Sequence, residues 1–279
     1  MKFSKYHGLG NDYIVTQDQD WPSPPTPDAA QRICDRHFGL GSDGLLVWRR
    51  HENEGEFRVG ILNPDGSEAE KSGNGLRILA RHLYDHGLVP EQTPFHVHTL
   101  GGRVTCSVTD AGRTVTVHMG QASFDSRDIP VGGPPREVLK ETMSAGGTAL
   151  EYSAVTVGNP HCVIFRDPLS AEETCELGPL IEADPRFPNR TNVQFAHVRD
   201  RQNLQIEIWE RGAGYTLASG SSSCAVAAVA RRLGLCDSKV AIHMPGGALA
   251  IEVSDTFDLT MTGPVVKVAQ GLISREIFT

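Results

Sequence analysis

The sequence contains the same arrangement twice, and this repetition limits the folds open to the chain more than any other feature. In each copy a strand is followed by a polar residue, a glycine-containing turn, a Ser-Gly pair and an apolar helix, in "FRVGILNPDGSEAEKSGNGLRILARHL" and in "LQIEIWERGAGYTLASGSSSCAVAAVARRL". Asn63 stands nine residues before Ser72, and Glu210 stands nine residues before Ser219. The pattern indicates two related halves, each with a helix that begins at a serine.

Helix and strand signals place other elements around this repeat. The pair "TP" before "DAAQRICDRHFG" is typical of a helix start, and that helix is predicted to end at Gly39. Helical spacing of apolar residues predicts helices over residues 75–86 and 221–233, each followed by a glycine. Residues 2–16 predict two strands around a glycine turn, and alternating segments elsewhere indicate more strands. The expected fold class is α/β (α+β), with two similar strand-rich lobes that meet at a cleft.

Composition excludes several classes of protein. The chain has 279 residues and a formal net charge of −8, with no cluster of Lys and Arg, which argues against a nucleic-acid-binding protein. No apolar run approaches a membrane span or a signal-peptide core, so a cytoplasmic protein without a membrane partner is expected. The six cysteines show no metal-ligand or disulfide spacing, and we expect them to be reduced and mostly buried, with no metal site.

Two helices that begin at Ser-Gly pairs would suit a small anionic ligand. A helix N-terminus presents unpaired backbone N–H groups and a partial positive charge, so two of them facing one cleft would hold an α-carboxylate. Gly73 and Gly220 would let the ligand approach the backbone closely. Ser72 and Ser219 would flank the bound carbon, one taking a proton while the other returns one to the opposite face. That arrangement would invert a stereocentre.

A plainer interpretation is that each serine only caps its helix. A Ser-Gly pair before a helix is often no more than an N-cap and a turn. The pairing of two such starts, each with a polar residue at the same upstream distance, favours a functional role.

Six motifs along the chain carry a resemblance to a known family: "FSKYHGLGNDYIV", "RHFGLGSDGLL", "NPDGSEAEKSGNGLR", "GNPHCVIF", "NRTNVQF" and "ERGAGYTLASGSSSCA". In this order they resemble the diaminopimelate epimerases, which are amino-acid epimerases that use no cofactor. The resemblance implies two pseudo-symmetric strand-rich lobes, each wrapped around a central helix, with the active site in the cleft between them. The lobes would span residues 1–118 with 265–279, and residues 119–264. A homodimer is left open.

The resemblance also implies roles for particular residues. The reacting amino-carboxylate end of an amino-acid substrate would be held by Asn11, Asn74 and the backbone at Gly73, Gly220 and Ser221. The distal end would be held by Asn63, Asn159, Asn192, Glu210 and Arg211, with His161 supporting Asn159. These residue types suit a zwitterion, because Arg211 can bind a carboxylate through two hydrogen bonds and Glu210 can accept from an ammonium group.

The chain departs from the family at its two central positions, because the resemblance implies cysteines where Ser72 and Ser219 stand. A free thiol has a pKa of about 8.5, which a helix N-terminus lowers, whereas a serine hydroxyl is a far weaker acid and needs a neighbouring base. Cys224 lies more than one helical turn beyond Ser219 and is expected to be a buried core residue instead of a substitute thiol. Weak or absent activity is therefore expected.

Three explanations of the serines stay open. The chain is an engineered double Cys→Ser form that traps its ligand, a natural member that exchanges protons on the same or another substrate, or a catalytically silent amino-acid-binding homologue. The leading hypothesis is an isomerase that interconverts LL- and meso-2,6-diaminopimelate by two-base α-proton exchange, in lysine biosynthesis. The alternatives are the silent homologue and a racemase or isomerase with another substrate.

Overall fold

The structure is a computed structural model that describes residues 1–21 and 23–278. It divides into two compact units, Met1–Val117 with Thr262–Thr279, and His118–Met261. The chain leaves the first unit within the strand β7 (Thr114–Gln121) and returns to it within the strand β16 (Asp258–Pro264). Both units are mixed α/β structures dominated by strands.

The first unit is a mixed sheet with two α-helices among the residues described. Its other strands are β1 (Lys2–Gly8), β2 (Asn11–Gln17), β3 (Leu45–Arg50), β4 (Phe57–Leu62), β5 (Phe95–Thr99), β6 (Gly102–Thr109) and β17 (Val266–Leu272). Its helices are α1 (Pro27–Cys34) and α2 (Gly73–Asp85), with 3₁₀ turns at Asp18–Asp20, Asp110–Gly112 and Arg275–Phe278. The strands lie in the order β17-β1-β2-β3-β4-β5-β6. The pairs β2–β3 and β4–β5 are parallel, and the other four pairs are antiparallel.

The second unit has the same kind of sheet. Its other strands are β8 (Glu141–Ala145), β9 (Thr148–Thr156), β10 (Pro160–Phe165), β11 (Asn192–Asp200), β12 (Asn203–Glu210), β13 (Gly214–Thr216), β14 (Lys239–Met244) and β15 (Gly247–Val253). Its helices are α3 (Ala171–Glu182) and α4 (Gly220–Arg232). The strands lie in the order β8-β9-β10-β11-β12-β14-β15. The pairs β10–β11 and β12–β14 are parallel, and the other four pairs are antiparallel.

Over these seven strands, the two units therefore share one topology. The helices α1 and α3 each connect the first parallel pair of their unit, β2 to β3 and β10 to β11. The helices α2 and α4 each lie between the strands of the second parallel pair, β4 to β5 and β12 to β14. The duplication predicted from the two Ser-Gly starts is confirmed at the level of the fold.

Each unit has a buried helix against its sheet. The helix α2 packs on β1, β2 and β6, and α4 packs on β9, β10, β11 and β15. Every residue of α4 from Gly220 to Ala230 is buried. Its small Ala, Ser and Val side chains allow this, because they let neighbouring strands approach closely at the density of a protein interior. Among the residues described, no helix is long and apolar enough to cross a membrane.

All three predicted helices have boundaries that differ from the structure. The helix α1 ends at Cys34 instead of Gly39, because Oδ1 of Asp35 accepts hydrogen bonds from the backbone N–H groups of His37 and Phe38, both at 2.7 Å. Such side-chain acceptors compete with helix continuation and turn the chain. The helices α2 and α4 begin at Gly73 and Gly220, directly after their serines and slightly before the predicted starts.

The helix α3 was missed by the sequence-based prediction. Its interior contains Gly178 and Pro179, which are the two residues least compatible with a helix. Its start nevertheless carries a readable signal, since Oγ of Ser170 accepts from the backbone N–H of Glu173 at 3.1 Å. This Ser-x-x-Glu spacing is the capping-box pattern, and it could have revealed the helix.

Candidate active site

Ser72 and Ser219 occupy equivalent positions at the starts of α2 and α4. Each is an N-cap in extended backbone, with φ −132° and ψ 118° for Ser72, and φ −145° and ψ 124° for Ser219. Oγ of Ser72 accepts a hydrogen bond from the N–H of Gly75 at 3.0 Å. Oγ of Ser219 accepts from the N–H of Ser222 at 3.4 Å. Both hydroxyls therefore lie at the positive ends of buried helices.

A tyrosine stands beside the first serine. The phenol oxygen of Tyr13 lies 3.1 Å from Oγ of Ser72, and either oxygen can be the donor. Gly44 makes room for the ring, because a Cβ at that position would lie 2.4 Å from Cε1 of Tyr13, well inside the optimal separation of about 3.5–4.0 Å between carbon atoms. Tyr13 was not predicted as a site residue, although it belongs to the quoted motif "FSKYHGLGNDYIV".

The amides of Asn11 and Asn74 contact each other in the first unit. Nδ2 of Asn74 donates to Oδ1 of Asn11 at 2.9 Å. Nη2 of the fully buried Arg77 donates to Oδ1 of Asn74 at 2.7 Å, and Nδ2 of Asn11 donates to Oδ2 of Asp43 at 3.0 Å. Because the guanidinium can only donate and the carboxylate only accept, the chain of bonds sets the orientation of both amides.

Asn63 lies in a separate turn after β4. Its Nδ2 donates to Oγ of Ser67 at 3.0 Å, and its backbone N–H donates to the carbonyl of Ser67 at 2.8 Å. Among the residues described, its side chain makes no hydrogen bond with Asn11 or Asn74. The first unit thus joins two of its three predicted asparagines directly.

Asn159 and His161 form a pair beside α4. Nε2 of His161 lies 3.0 Å from Oδ1 of Asn159, and Nδ2 of Asn159 donates to Oγ of Ser221 at 3.5 Å. Burial lowers the pKa of His161 to about 3, although its contact with Gln194 acts in the opposite direction. The imidazole is therefore neutral, with its hydrogen on Nε2, because the amide oxygen can only accept.

The serines that follow Gly220 are all bonded inside the second unit. Oγ of Ser222 accepts from Nε2 of Gln194 at 3.0 Å. Oγ of Ser223 donates to the carbonyl of Ser219 at 2.8 Å and lies 3.3 Å from Sδ of Met244. Gln194 and Met244 were not predicted from the sequence, although Gln194 belongs to the quoted motif "NRTNVQF".

Asn192 and Arg211 meet at the end of β12. Oδ1 of Asn192 accepts from the backbone N–H of Arg211 at 3.0 Å, and its Nδ2 donates to the carbonyl of Pro160 at 2.9 Å. Nη1 of Arg211 donates to the carbonyl of Asn189 at 3.1 Å. Glu210 is the last residue of β12 and pairs with Gly214 of β13. Asn192, Glu210 and Arg211, three of the residues predicted to hold the distal end of the substrate, thus lie together at the end of β12.

The two capping serines differ in their surroundings. Ser72 is half-buried and contacts Tyr13, whereas Ser219 is 2% exposed. Within the part of the chain that the structure describes, no titratable side chain hydrogen-bonds to Oγ of Ser219. Cys224 is fully buried in α4, as predicted, and five of the six cysteines are buried while Cys175 is exposed.

Solved structures with this fold include an epimerase and a probable racemase. A hydroxyproline epimerase from Agrobacterium vitis superposes with a TM-score of 0.78 at 13% identity, covering 97% of this chain and 91% of that chain. A probable proline racemase from Agrobacterium radiobacter K84 gives a TM-score of 0.77 at 13% identity, covering 98% and 93%. The chain therefore shares its fold with these two isomerases.

Sequence comparisons identify the family. The model of the diaminopimelate epimerase family matches residues 3–124 and 153–268. "Diaminopimelate epimerase 2" of Nostoc sp. is 55% identical over 278 residues, covering 100% of this chain and 97% of that protein. "Diaminopimelate epimerase" of Desulfitobacterium hafniense is 39% identical over 282 residues, covering 99% of each. The chain belongs to the diaminopimelate epimerase family.

Proposed function

We propose that this protein is an amino-acid epimerase that interconverts LL- and meso-2,6-diaminopimelate by α-proton exchange at Ser72 and Ser219. One observation carries the proposal: both serines cap buried helices in the same geometry, within two units of equivalent topology. Membership of the family supports diaminopimelate as the substrate. The proposed reaction uses no cofactor and belongs to lysine biosynthesis. We place it in the cytoplasm, and a homodimer stays a prediction.

The reacting end of the substrate would bind at the helix starts. Backbone N–H groups at Gly73, Gly220 and Ser221 are suited to a carboxylate, because helix N-termini attract anions. Neither α2 nor α4 has an acidic residue in its first turn, so no carboxylate of these turns opposes an anionic ligand. The oriented amides of Asn11 and Asn74 support binding of the amino and carboxylate groups.

The distal amino-carboxylate end would bind to Asn63, Asn159, Asn192, Glu210 and Arg211. The hydrogen bonds that hold Asn159 and Asn192 support this role, because they restrict the rotamers of both amides before a ligand arrives. Glu210 and Arg211 supply one negative and one positive charge at neighbouring positions. A zwitterion is the ligand that this pair of charges would favour.

Serine makes the proposed proton transfers harder than cysteine would, and Tyr13 offers a route on one side. Oγ of Ser72 would take the α-proton while its own proton passes to the phenolate form of Tyr13, across the observed 3.1 Å contact. The electron pair of the broken C–H bond stays on the substrate carbon. To complete inversion, the hydroxyl of Ser219 would give its proton to the opposite face of that carbon and take a proton back from water, and the reverse reaction would run from Ser219 to Ser72. A tyrosine phenol has an ordinary pKa of about 10, so the phenolate is scarce at neutral pH and turnover would be slow.

A second candidate function is binding without turnover. The surroundings of Ser219 favour it, because among the described residues no titratable group hydrogen-bonds to that hydroxyl. A serine without a partner base is a poor donor or acceptor of protons. The protein would then bind diaminopimelate or another amino acid and leave its stereochemistry unchanged.

Proton NMR in D₂O tests the proposal. LL-diaminopimelate is incubated with the protein while α-proton washout and the meso form are followed, and calorimetry measures binding in parallel. Washout with meso product above the enzyme-free blank supports the epimerase. Binding without washout favours the silent homologue. Binding that appears only with other amino acids would move the function to another substrate. No binding of diaminopimelate at millimolar concentration counts against the epimerase, and no binding of any amino acid counts against both candidates.

A further inference from the structure

Two histidines and a glutamate converge around the β3–β4 loop, outside the candidate active site. His51 and Glu56 lie at the two ends of this loop, and His98 lies on β5. Nε2 of His98 is 2.6 Å from Oε2 of Glu56, and Nδ1 of His51 is 3.8 Å from the same oxygen. The two imidazole rings stack, with centroids 3.9 Å apart and planes within 7°. One potential ligand atom from each residue lies within 4.8 Å of the other two.

We propose that His51, Glu56 and His98 bind a divalent transition-metal ion, of which Zn²⁺ fits best. Imidazole nitrogen and carboxylate oxygen are common zinc ligands at about 2.0–2.2 Å, so tetrahedral ligand atoms lie about 3.3 Å apart. The observed separations of 2.6 Å and 3.8 Å lie on either side of that value. To enclose an ion, Nδ1 of His51 would need to approach Glu56 by about 0.5 Å. One imidazole would also turn out of the stack, because the lone pairs of parallel rings lie in parallel planes. Three protein ligands would leave a fourth position for water.

The protonation states of the two imidazoles suit a metal. Nδ1 of His51 accepts a hydrogen bond from the backbone N–H of Asn53 at 3.2 Å, so it carries a lone pair. Nε2 of His98 faces a carboxylate that can only accept, so it carries a hydrogen. A metal ion would replace that hydrogen and displace the long contact from Asn53.

The glutamate is already oriented by its neighbours. Nη2 of Arg103 donates to Oε1 of Glu56 at 2.8 Å, and Nδ2 of Asn53 donates to Oε2 at 3.1 Å. Together with the contact from His98, these bonds hold both carboxylate oxygens in place. Carboxylates that bind metals are commonly held by such outer hydrogen bonds. The charge of Arg103 opposes a second cation, and we expect micromolar affinity instead of tighter binding.

The side chains are accessible enough for an ion to enter. Those of His51, Glu56 and His98 retain 16%, 12% and 21% of their exposure. An ion at this position would connect the β3–β4 loop to β5. The three ligands are spread over residues 51–98, so no short spacing in the sequence indicated them.

Calorimetric titration of the full chain with Zn²⁺ at neutral pH tests the proposal. The expected result is one ion bound in the micromolar range. Glu56→Gln and His98→Phe, which keeps an aromatic ring against His51, are each expected to weaken binding roughly tenfold to a hundredfold. Circular dichroism checks that each variant is folded.

Two control variants test whether other side chains bind the zinc. His96→Gln changes a histidine of the same strand whose Nδ1 contacts Oγ1 of Thr105, and Cys175→Ser removes the exposed thiol. Both controls are expected to bind zinc like the wild type. The proposal is overturned if the wild type binds no zinc at micromolar concentrations, if both ligand variants bind as the wild type does, or if Cys175→Ser abolishes the signal.

Discussion

Tyr13 and Ser72 share a hydrogen bond, with 3.1 Å between the phenol oxygen and Oγ. Tyr13 is paired in register with Tyr6 across the β1–β2 ladder, yet the hydroxyl of Tyr6 donates to Oδ2 of Asp85 at 2.9 Å. Two buried tyrosines at one rung of the sheet thus have different partners. Only Tyr13 contacts a capping serine, which makes Tyr6 a matched control for it.

Tyr13→Phe is expected to lower α-proton exchange by roughly 10²-fold or more, the range that general acid–base groups contribute. Binding of diaminopimelate is expected to persist, because the ring remains. NMR washout in D₂O and calorimetry measure the two quantities. Tyr6→Phe should leave exchange near the wild-type rate. Equal rates for the two variants would remove Tyr13 from the proposed proton path.

Gly44→Ala is expected to act on the same contact indirectly. Its Cβ would lie 2.4 Å from Cε1 of Tyr13, so the ring must shift. We expect a loss of about 1–3 kcal/mol in the free energy of unfolding, as for other overpacked cores, and slower exchange. Urea unfolding and NMR measure these effects. Gly60→Ala is the control, since its nearest contact would be 3.4 Å from Oε1 of Glu68. Similar behaviour of both variants would contradict the steric explanation.

The double substitution Ser72→Cys with Ser219→Cys is expected to raise epimerisation by several orders of magnitude. A thiol has an ordinary pKa of about 8.5, and a helix N-terminus lowers it towards neutrality. The rate of meso product formation measures the gain. Ser170→Cys, at the N-cap of α3, should give none. If the double variant binds diaminopimelate but stays inactive, the chemistry requires more than the two thiols.

Acid is expected to destabilise the protein through buried histidines. Burial lowers the pKa of His161 from 6.5 to about 3, so between those values the unfolded chain binds a proton that the folded chain does not. The free energy of unfolding should therefore fall as the pH is lowered through that window, with no contribution above it. Urea unfolding across this range measures the slope, and His161→Gln is expected to reduce it.

His82 provides an independent check in the first unit. Burial lowers its pKa to about 3 as well, and its Nε2 accepts a hydrogen bond from Nε1 of Trp48 at 3.2 Å. His82→Gln should also reduce the acid slope. Slopes equal to that of the wild type in both variants would show that these two groups do not carry the acid sensitivity.

Local patterns in the chain were enough to predict the repeated halves and their buried helices. The cap, the glycine and the apolar spacing of α2 and α4 all lie within a few turns of Ser72 and Ser219, so short-range preferences decide these elements. The same reasoning failed at α1 and α3. Asp35 ends α1 through a side-chain bond, and Gly178 and Pro179 disfavour a helix inside α3 although Ser170 caps its start.

Contacts between residues distant in sequence needed the tertiary structure. Tyr13 reaches Ser72 across 59 positions, Gln194 reaches Ser222 across 28, and His98 reaches Glu56 across 42. Strand register and backbone packing place these partners, and neither can be read from the spacing of the residues themselves. The sequence by itself thus determines that α2 and α4 begin at capping serines. The tertiary structure decides which neighbours they have, because their protonation and orientation depend on groups that only folding brings within hydrogen-bonding distance.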